Sequence, residues 1–226
     1  MLESELIDRT GKLLEKIDAL SREVGREITL LAATKTRNKE EIQTVISHGV
    51  RFVGENKADE LCRKFSENAY EGAELHFIGT LQSNKAKMLV GKVALIHSLC
   101  TESAALAIEK AASSLSLMQD VLIEIHVGIE ETKSGLPLEE AENFASFLGT
   151  LPHIRLRGLM CVPPVGEDPA PYFDAVQKTF TAMKEKYALD VLSMGMSSDF
   201  EAAIRHGATM VRIGTGLFGE RDYSRT

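Results

Sequence analysis

The chain has 226 residues, 44% hydrophobic and 26% charged, an ordinary balance for a globular protein with room for one large core. A formal net charge of -7 argues against an extended nucleic-acid-binding surface but permits a local basic pocket for a small anion. Three cysteines (Cys62, Cys100, Cys161), widely separated and without C-x-x-C spacing, indicate neither a disulfide framework nor a zinc site and read as core or near-core thiols.

The first residues, Met1-Leu2-Glu3-Ser4-Glu5-Leu6, lack the basic and apolar regions of a secretory signal, and no later run has membrane-spanning length. A cytoplasmic protein without a membrane partner is expected. Leu2, Leu6, Leu13, Ile17, Leu20 and Val24, at helical spacing, predict an amphipathic helix over 2–24. The apolar run 28–34 then predicts a strand, closed by Lys35. From there helix and strand alternate: helix 40–48 ending at Gly49, strand 51–54, helix 58–68, strand 75–78, helix 84–90, strand 93–98 and helix 102–115. The second half continues with strand 120–127, helix 138–148, strand 155–162, helix 170–187, strand 191–194, helix 199–206 and strand 209–213.

Eight short apolar strands separated by helices are the signature of parallel crossovers with both sheet faces covered. Units of about 28 residues fit a (β/α)8 TIM barrel, a fold that extends down to about 200 residues. Periodicity does not distinguish that closed barrel from a doubly wound open sheet. No linker divides the sequence, so residues 1–226 read as a single domain.

In a barrel the strand C-termini and the loops after them gather at one mouth. Lys35 belongs there, where partial desolvation of its amine favours the neutral, nucleophilic form suited to attack on a carbonyl. The same logic selects Gly54-Glu55-Asn56, Gly79 to Lys85, and Met160 to Pro164. Gly54 and Gly79 equally read as turn glycines, and Asn56 and Asn84 as helix starts. In the loop after strand seven, Ser198 and Glu201 are spaced as a capping box, which would turn a helix N-terminus toward the mouth. After strand eight, Arg212-Ile213-Gly214-Thr215-Gly216 supplies an arginine, a hydroxyl and glycines that permit close backbone approach. These last two loops are the recurrent phosphate cradle of the architecture. A phosphate cradle opposite a strand-one lysine suggests a phosphorylated aldehyde, and pyridoxal 5'-phosphate (PLP) has that form. Arg212 is then the candidate partner of the pyridine nitrogen, an arrangement that disfavours delocalising a carbanion into the ring.

Together these residues resemble the YggS/PROSC family of pyridoxal phosphate homeostasis proteins. The match runs in order through Ala33-Thr34-Lys35-Thr36, Gly54-Glu55-Asn56, His76 to Lys85, Gly158-Leu159-Met160, Leu192 to Ser197, and Val211 to Arg221. The resemblance implies a barrel like the N-terminal domain of alanine racemase, with PLP bound as an aldimine. It implies that Lys35 holds the aldehyde, that Ser197, Gly214 and Thr215 bind phosphate, and that Arg212 faces the pyridine nitrogen. Asn56, His76 and Met160 are further candidate contacts. Thr34, where many relatives have serine, keeps the hydroxyl, and Lys57 stands at a variable position.

The leading functional expectation is PLP storage, buffering or delivery, with PLP-dependent apo-enzymes as candidate recipients. Robust catalysis is not expected. The alternative is a PLP-dependent amino-acid racemase of low activity, which needs an acid/base on each face of the substrate, whereas Lys35 supplies one. Alanine racemase takes its second base from a further domain, and the sequence ends at Thr226. Of Tyr70, Tyr172, Tyr187 and Tyr223, only the last is expected near the mouth. A phosphosugar aldolase would want a carboxylate there, for which Glu55 is the applicant. A site complete within one barrel predicts a monomer.

Overall fold

A strand that buries both of its faces needs cover on both, and the first strand does so: Leu31 and Ala32 are both fully buried. The computed structural model, which describes residues 2–128 and 134–220, supplies the cover by closing the sheet on itself. Eight parallel strands, β1 (Thr29–Ala33), β2 (Phe52–Glu55), β3 (Glu74–Phe77), β4 (Leu95–Leu99), β5 (Gln119–Ile125), β6 (Ile154–Cys161), β7 (Val191–Ser193) and β8 (Met210–Ile213), form a barrel in sequential order. Closure is made by β1 and β8, with Leu31 opposite Arg212 and Ala32 opposite Ile213. The open-sheet alternative is thereby excluded.

Around the barrel run α1 (Glu3–Val24), α2 (Lys39–Ser47), α3 (Ala58–Ser66), α4 (Ala86–Leu89), α5 (Glu102–Ser114), α6 (Ala141–Leu148), α7 (Ala170–Tyr187), α8 (Phe200–Arg205) and α9 (Thr215–Phe218). The helix after β8 spans four residues, too short to cover the sheet. The opening helix α1 packs against α2, α8 and α9 and fills that gap in the outer ring. Its buried stripe of Leu6, Thr10, Ile17 and Leu20 explains the helical spacing seen in the sequence.

Two apolar layers result. Outward-facing residues such as Leu30, Ala32, Val53, Phe77 and Val211 pack under the helices. Inward-facing Leu31, Leu95, Leu122, Met160, Val191 and Met210 fill the barrel.

Three predicted helix starts are corrected. Segments 84–90 and 138–148 each begin with a turn of 3-10 helix, Ser83–Lys85 and Leu138–Glu140. The Ser198/Glu201 capping box does not form: α8 begins only at Phe200, Asp199 Oδ1 accepts the Met196 N–H at 2.5 Å, and Glu201 pairs with Lys16. A capping box that does form, Asn38 with Glu41, opens α2 directly after the Lys35 loop.

Gly158 on β6 illustrates the tolerance of the sheet, because a Cβ there would lie 1.7 Å from the Val191 carbonyl oxygen. Gly158→Ala is expected to destabilise the protein by roughly 4 kcal/mol or more. Gly11→Ala, in α1 with nothing near the added carbon, is expected to stabilise it by about 0.5–1 kcal/mol. Urea unfolding of the two variants checks both signs.

Candidate functional site

Strand parity delivers the polar side chains of the mouth. On β1, Leu31 faces inward, so period-two alternation carries Ala33 and then Lys35 to the same side, above the barrel core. On β8, inward Met210 is followed by Arg212; on β7, Val191 by Ser193; on β5, Leu122 by Glu124. A cavity of about 470 Å³ opens above them, lined by Lys35, Asn56, Ser197, Arg212, Gly214 and Thr215 together with Arg37. These include six of the eight residues singled out as cofactor contacts. Of the other two, Met160 lines a smaller adjoining cavity and His76 lines neither.

The two loops expected to cradle phosphate are fastened to each other: the Gly216 N–H donates to Ser197 Oγ at 3.0 Å. Gly195 makes this approach feasible, because its φ of 93° takes the chain sharply out of β7 and a Cβ there would lie 2.5 Å from Ala203. A Cβ on Gly214 would have only Ala33 beside it, at 3.5 Å, and would fill part of the cradle. Asn56 is set by Gly79, whose Cα packs so closely on the Asn56 backbone that a Cβ would lie 1.8 Å from its carbonyl oxygen. Gly79 is thus a close-approach glycine, and Asn56 is not a helix cap, since Lys57 precedes α3 without a side-chain cap.

Arg212 is 6% exposed, and its burial lowers the affinity of the guanidinium for its proton. The charge is retained because the site returns its hydrogen bonds. Nη1 donates to the Ser193 carbonyl at 2.8 Å and to Ser193 Oγ at 2.6 Å, and Nη2 donates to the Cys161 carbonyl at 2.9 Å. Below it the chain continues through His97 Nδ1 (3.1 Å from Ser193 Oγ), His97 Nε2 to His76 Nδ1 (3.0 Å), and His76 Nε2 to Glu74 (3.0 Å). Glu74 only accepts, so with one proton on each ring His76 donates from Nε2 to Glu74, His97 donates from Nε2 to His76 Nδ1, and the Ser193 hydroxyl donates to His97 Nδ1. The direction of every bond along the barrel axis follows from the carboxylate at the bottom. His76, a candidate cofactor contact in the sequence, is instead a buried link in this column, away from the mouth.

A second polar cluster lies behind the strand. Thr34 and Glu55 have the outward parity, and Lys64 on α3, 1% exposed, reaches both: its ammonium donates to the Thr34 carbonyl (2.8 Å), Glu55 Oε1 (2.6 Å) and Glu60 Oε1 (2.8 Å). All three of its protons are used. Glu55 Oε1 also accepts from Thr34 Oγ1 and Tyr70. Burial pushes the Glu55 carboxyl up while Lys64 pulls it back, and the aldolase reading fails because this carboxylate faces away from the cavity. Burial also pushes Glu60 up, but hydrogen bonds from Lys64 and from the Thr36 N–H outweigh it. Thr36 has a φ of 66°, strained for a β-branched residue, so Lys35 sits between a clamped carbonyl and a pinned left-handed turn.

Arg37, not singled out in the sequence, lines the cavity and is held by the Gly219 carbonyl at 2.9 Å and the ring of Phe218. Tyr223 and Arg221 lie outside the described residues.

The alanine racemase N-terminal domain family matches residues 10–222. A pyridoxal phosphate homeostasis protein of Aquifex aeolicus is 43% identical over 96% of this chain and 98% of its own. The protein of that name from Escherichia coli is 37% identical over 98% and 99%. Among solved structures, PipY of Synechococcus elongatus with PLP bound superposes with a TM-score of 0.84 at 26% identity, covering 95% of this chain and all of PipY.

Lys64→Met leaves Glu55 as an uncompensated buried charge and is expected to cost about 3–5 kcal/mol of stability, read by urea unfolding. A loss below about 1 kcal/mol would remove the clamp from the account. His97 is held well below its ordinary 6.5, first by burial and then by His76 and Arg212. Its contribution to stability is therefore present above the unfolded-state value and lost as pH falls through it, because the unfolded chain takes up a proton the fold refuses. Between about pH 7.5 and about pH 5, His97→Gln is expected to lose less stability than the wild type; equal losses would contradict this.

Proposed function

The chain belongs to the alanine racemase N-terminal domain family, and within it to the pyridoxal phosphate homeostasis proteins, and on that footing we propose that it binds PLP and stores, buffers or delivers it. The observation that carries the reading is electrostatic. In a chain of net charge -7, the large cavity is lined by Lys35, Arg37 and Arg212 and, among the described residues, by no carboxylate. Such a site selects a small anion, and its volume of about 470 Å³ lies within the range of roughly 300–1,000 Å³ of small-molecule sites.

The residues present fit the cofactor. Its aldehyde would condense with the Lys35 amine, a C=N bond replacing C=O as water leaves. Ser197, Gly214 and Thr215, on the two fastened loops, would take the phosphate. Arg212 would donate to the pyridine nitrogen from below, fixed in direction by Ser193 and the Cys161 carbonyl. Asn56, which lines both this cavity and the adjoining one, would flank the cofactor. Met160, from the adjoining cavity, would bound the cofactor on one side.

This arrangement favours holding over turnover. A racemase needs two groups that exchange protons on opposite faces of its substrate. The titratable groups lining the cavity, among the described residues, are Lys35, Arg37 and Arg212, and arginines stay protonated. PLP-dependent apo-enzymes would be the recipients, with the protein acting as a cytoplasmic monomer, since one chain supplies every contact named.

Borohydride reduction of protein loaded with PLP, followed by peptide mapping, is expected to find the cofactor fixed on Lys35. Lys35→Ala is expected to lose the visible absorbance and the label. Wild-type protein that takes up no PLP, or a label placed elsewhere, would sink the reading.

A further inference from the structure

We propose that the smaller cavity beside the PLP pocket is a subsite for a primary alkylammonium group, such as a lysine side chain, held by the Glu124 carboxylate and the Asn56 side-chain oxygen. The cavity measures about 240 Å³ and shares Asn56, Ile78 and Val162 with the larger one. It is thus contiguous with the place where Lys35 stands, and too small for a second cofactor.

Glu124 is the anomaly that calls for a ligand. It follows Leu122 inward on β5, a strand otherwise apolar from Val121 to Ile125, and is 9% exposed. Its Oε1 accepts from Ser134 Oγ at 2.9 Å, while Oε2 has no partner among the described residues. Asn56 Oδ1, lining the same cavity, is likewise buried and unpartnered. Native proteins rarely leave buried acceptors unmatched, since each costs about 1–3 kcal/mol. The site is built, not incidental. The Leu136 N–H donates to the Glu124 carbonyl and the His126 N–H to the Leu136 carbonyl, both at 2.8 Å, which zips the segment carrying Ser134 onto β5. Gly135 permits this at a φ of 121°, where a Cβ would lie 2.5 Å from the His126 nitrogen.

The chemistry of the two vacant acceptors narrows the ligand. An anion is repelled and a neutral donor leaves the carboxylate uncompensated. A guanidinium brings five N–H donors to two unpartnered acceptors and would leave most of them unmatched. A metal ion would want more ligands, and the described residues contain no cluster of three metal-binding side chains. An ammonium brings a charge and three donors to two acceptors. Ile78, Val127, Met160 and Val162 supply an apolar sleeve for the methylenes behind it. The other charged group near Glu124 on the barrel side is Arg212, whose donors go to Ser193 and to the Cys161 carbonyl. On its own strand's end, His126 donates from Nε2 to the Gly128 carbonyl at 3.1 Å. Burial raises the Glu124 carboxyl, as expected of an acid lacking its counter-ion.

The two cavities are therefore complementary in charge, one lined by cations and the other by an acid. That pairing suits a site where an aldehyde held by one amine meets a second amine, and in this respect the inference rests on the PLP reading above. An α-amino acid would bring its own carboxylate close to Glu124, so a lysine side chain is the better occupant.

The test uses cofactor-free protein and calorimetric titration with Nα-acetyl-L-lysine amide. Saturable binding is expected, lost with the Nε-acetylated form of the same probe, which has no ammonium. L-alanine is expected to bind at least about tenfold more weakly than the lysine probe, and Glu124→Gln to weaken the lysine probe at least about tenfold. Absence of binding to wild-type protein, equal binding of the Nε-acetylated probe, parity of L-alanine, or an unchanged Glu124→Gln protein would each overturn the proposal. Should Glu124→Gln fail to fold, as judged by circular dichroism, the acetylated probe decides on wild-type protein alone. PLP uptake on Lys35 of the wild type is scored separately, so failure of the cofactor reading and failure of the subsite give different results.

Discussion

The period-two alternation of a closed parallel barrel is the constraint from which the site descends. Once Leu31, Leu122, Val191 and Met210 face inward, their strands have no freedom over where Lys35, Glu124, Ser193 and Arg212 go. The same rule sends Thr34 and Glu55 outward to Lys64. A slip of one residue would exchange the two sets, burying the reactive amine under helices and presenting the ion pair to the mouth. The apolar layers on both faces make such a slip prohibitively expensive, so packing far from the mouth is what specifies its chemistry.

Buried charge is then handled in two ways. Arg212 is held by hydroxyl and carbonyl oxygens, which leave its positive charge uncancelled toward the cavity. Lys64 is cancelled by two carboxylates and serves only to hold the backbone. The first arrangement keeps an electrostatic field available to a ligand. The second makes a rigid wall behind Lys35. Family membership places both within a lineage of PLP proteins, and the geometry shows how a small barrel divides the work of attracting an anion from the work of positioning an amine.

Much of this was legible in the sequence. The run closed by Lys35, the alternation of elements, and the Arg212 to Thr215 segment gave the barrel and most of the larger cavity's lining. What escaped notice depends on pairs brought together by folding. Lys64 and Glu55 are nine residues apart on different elements, and nothing local tells a buried lysine from a solvated one on a helix rich in charge. The Ser198/Glu201 spacing was a coincidence that Asp199 overrode by capping the loop from within. His76 lies on the expected strand, but its side chain turns to His97 and Glu74 and not to the mouth. Glu124 could have been found: a lone acid in an apolar strand, at inward parity, is a conflict between local composition and burial that sequence alone displays.

The column of hydrogen bonds beneath Arg212 gives the molecule a built-in reporter. Because every bond in it points one way, the two imidazole rings are locked in single tautomers, and each ring nitrogen has a fixed character as donor or acceptor. A molecule that draws on the guanidinium from above must alter what Ser193 receives, and hence the polarisation of His97 and then of His76. Nitrogen resonances of these two side chains would thus register occupancy of the mouth from inside the barrel.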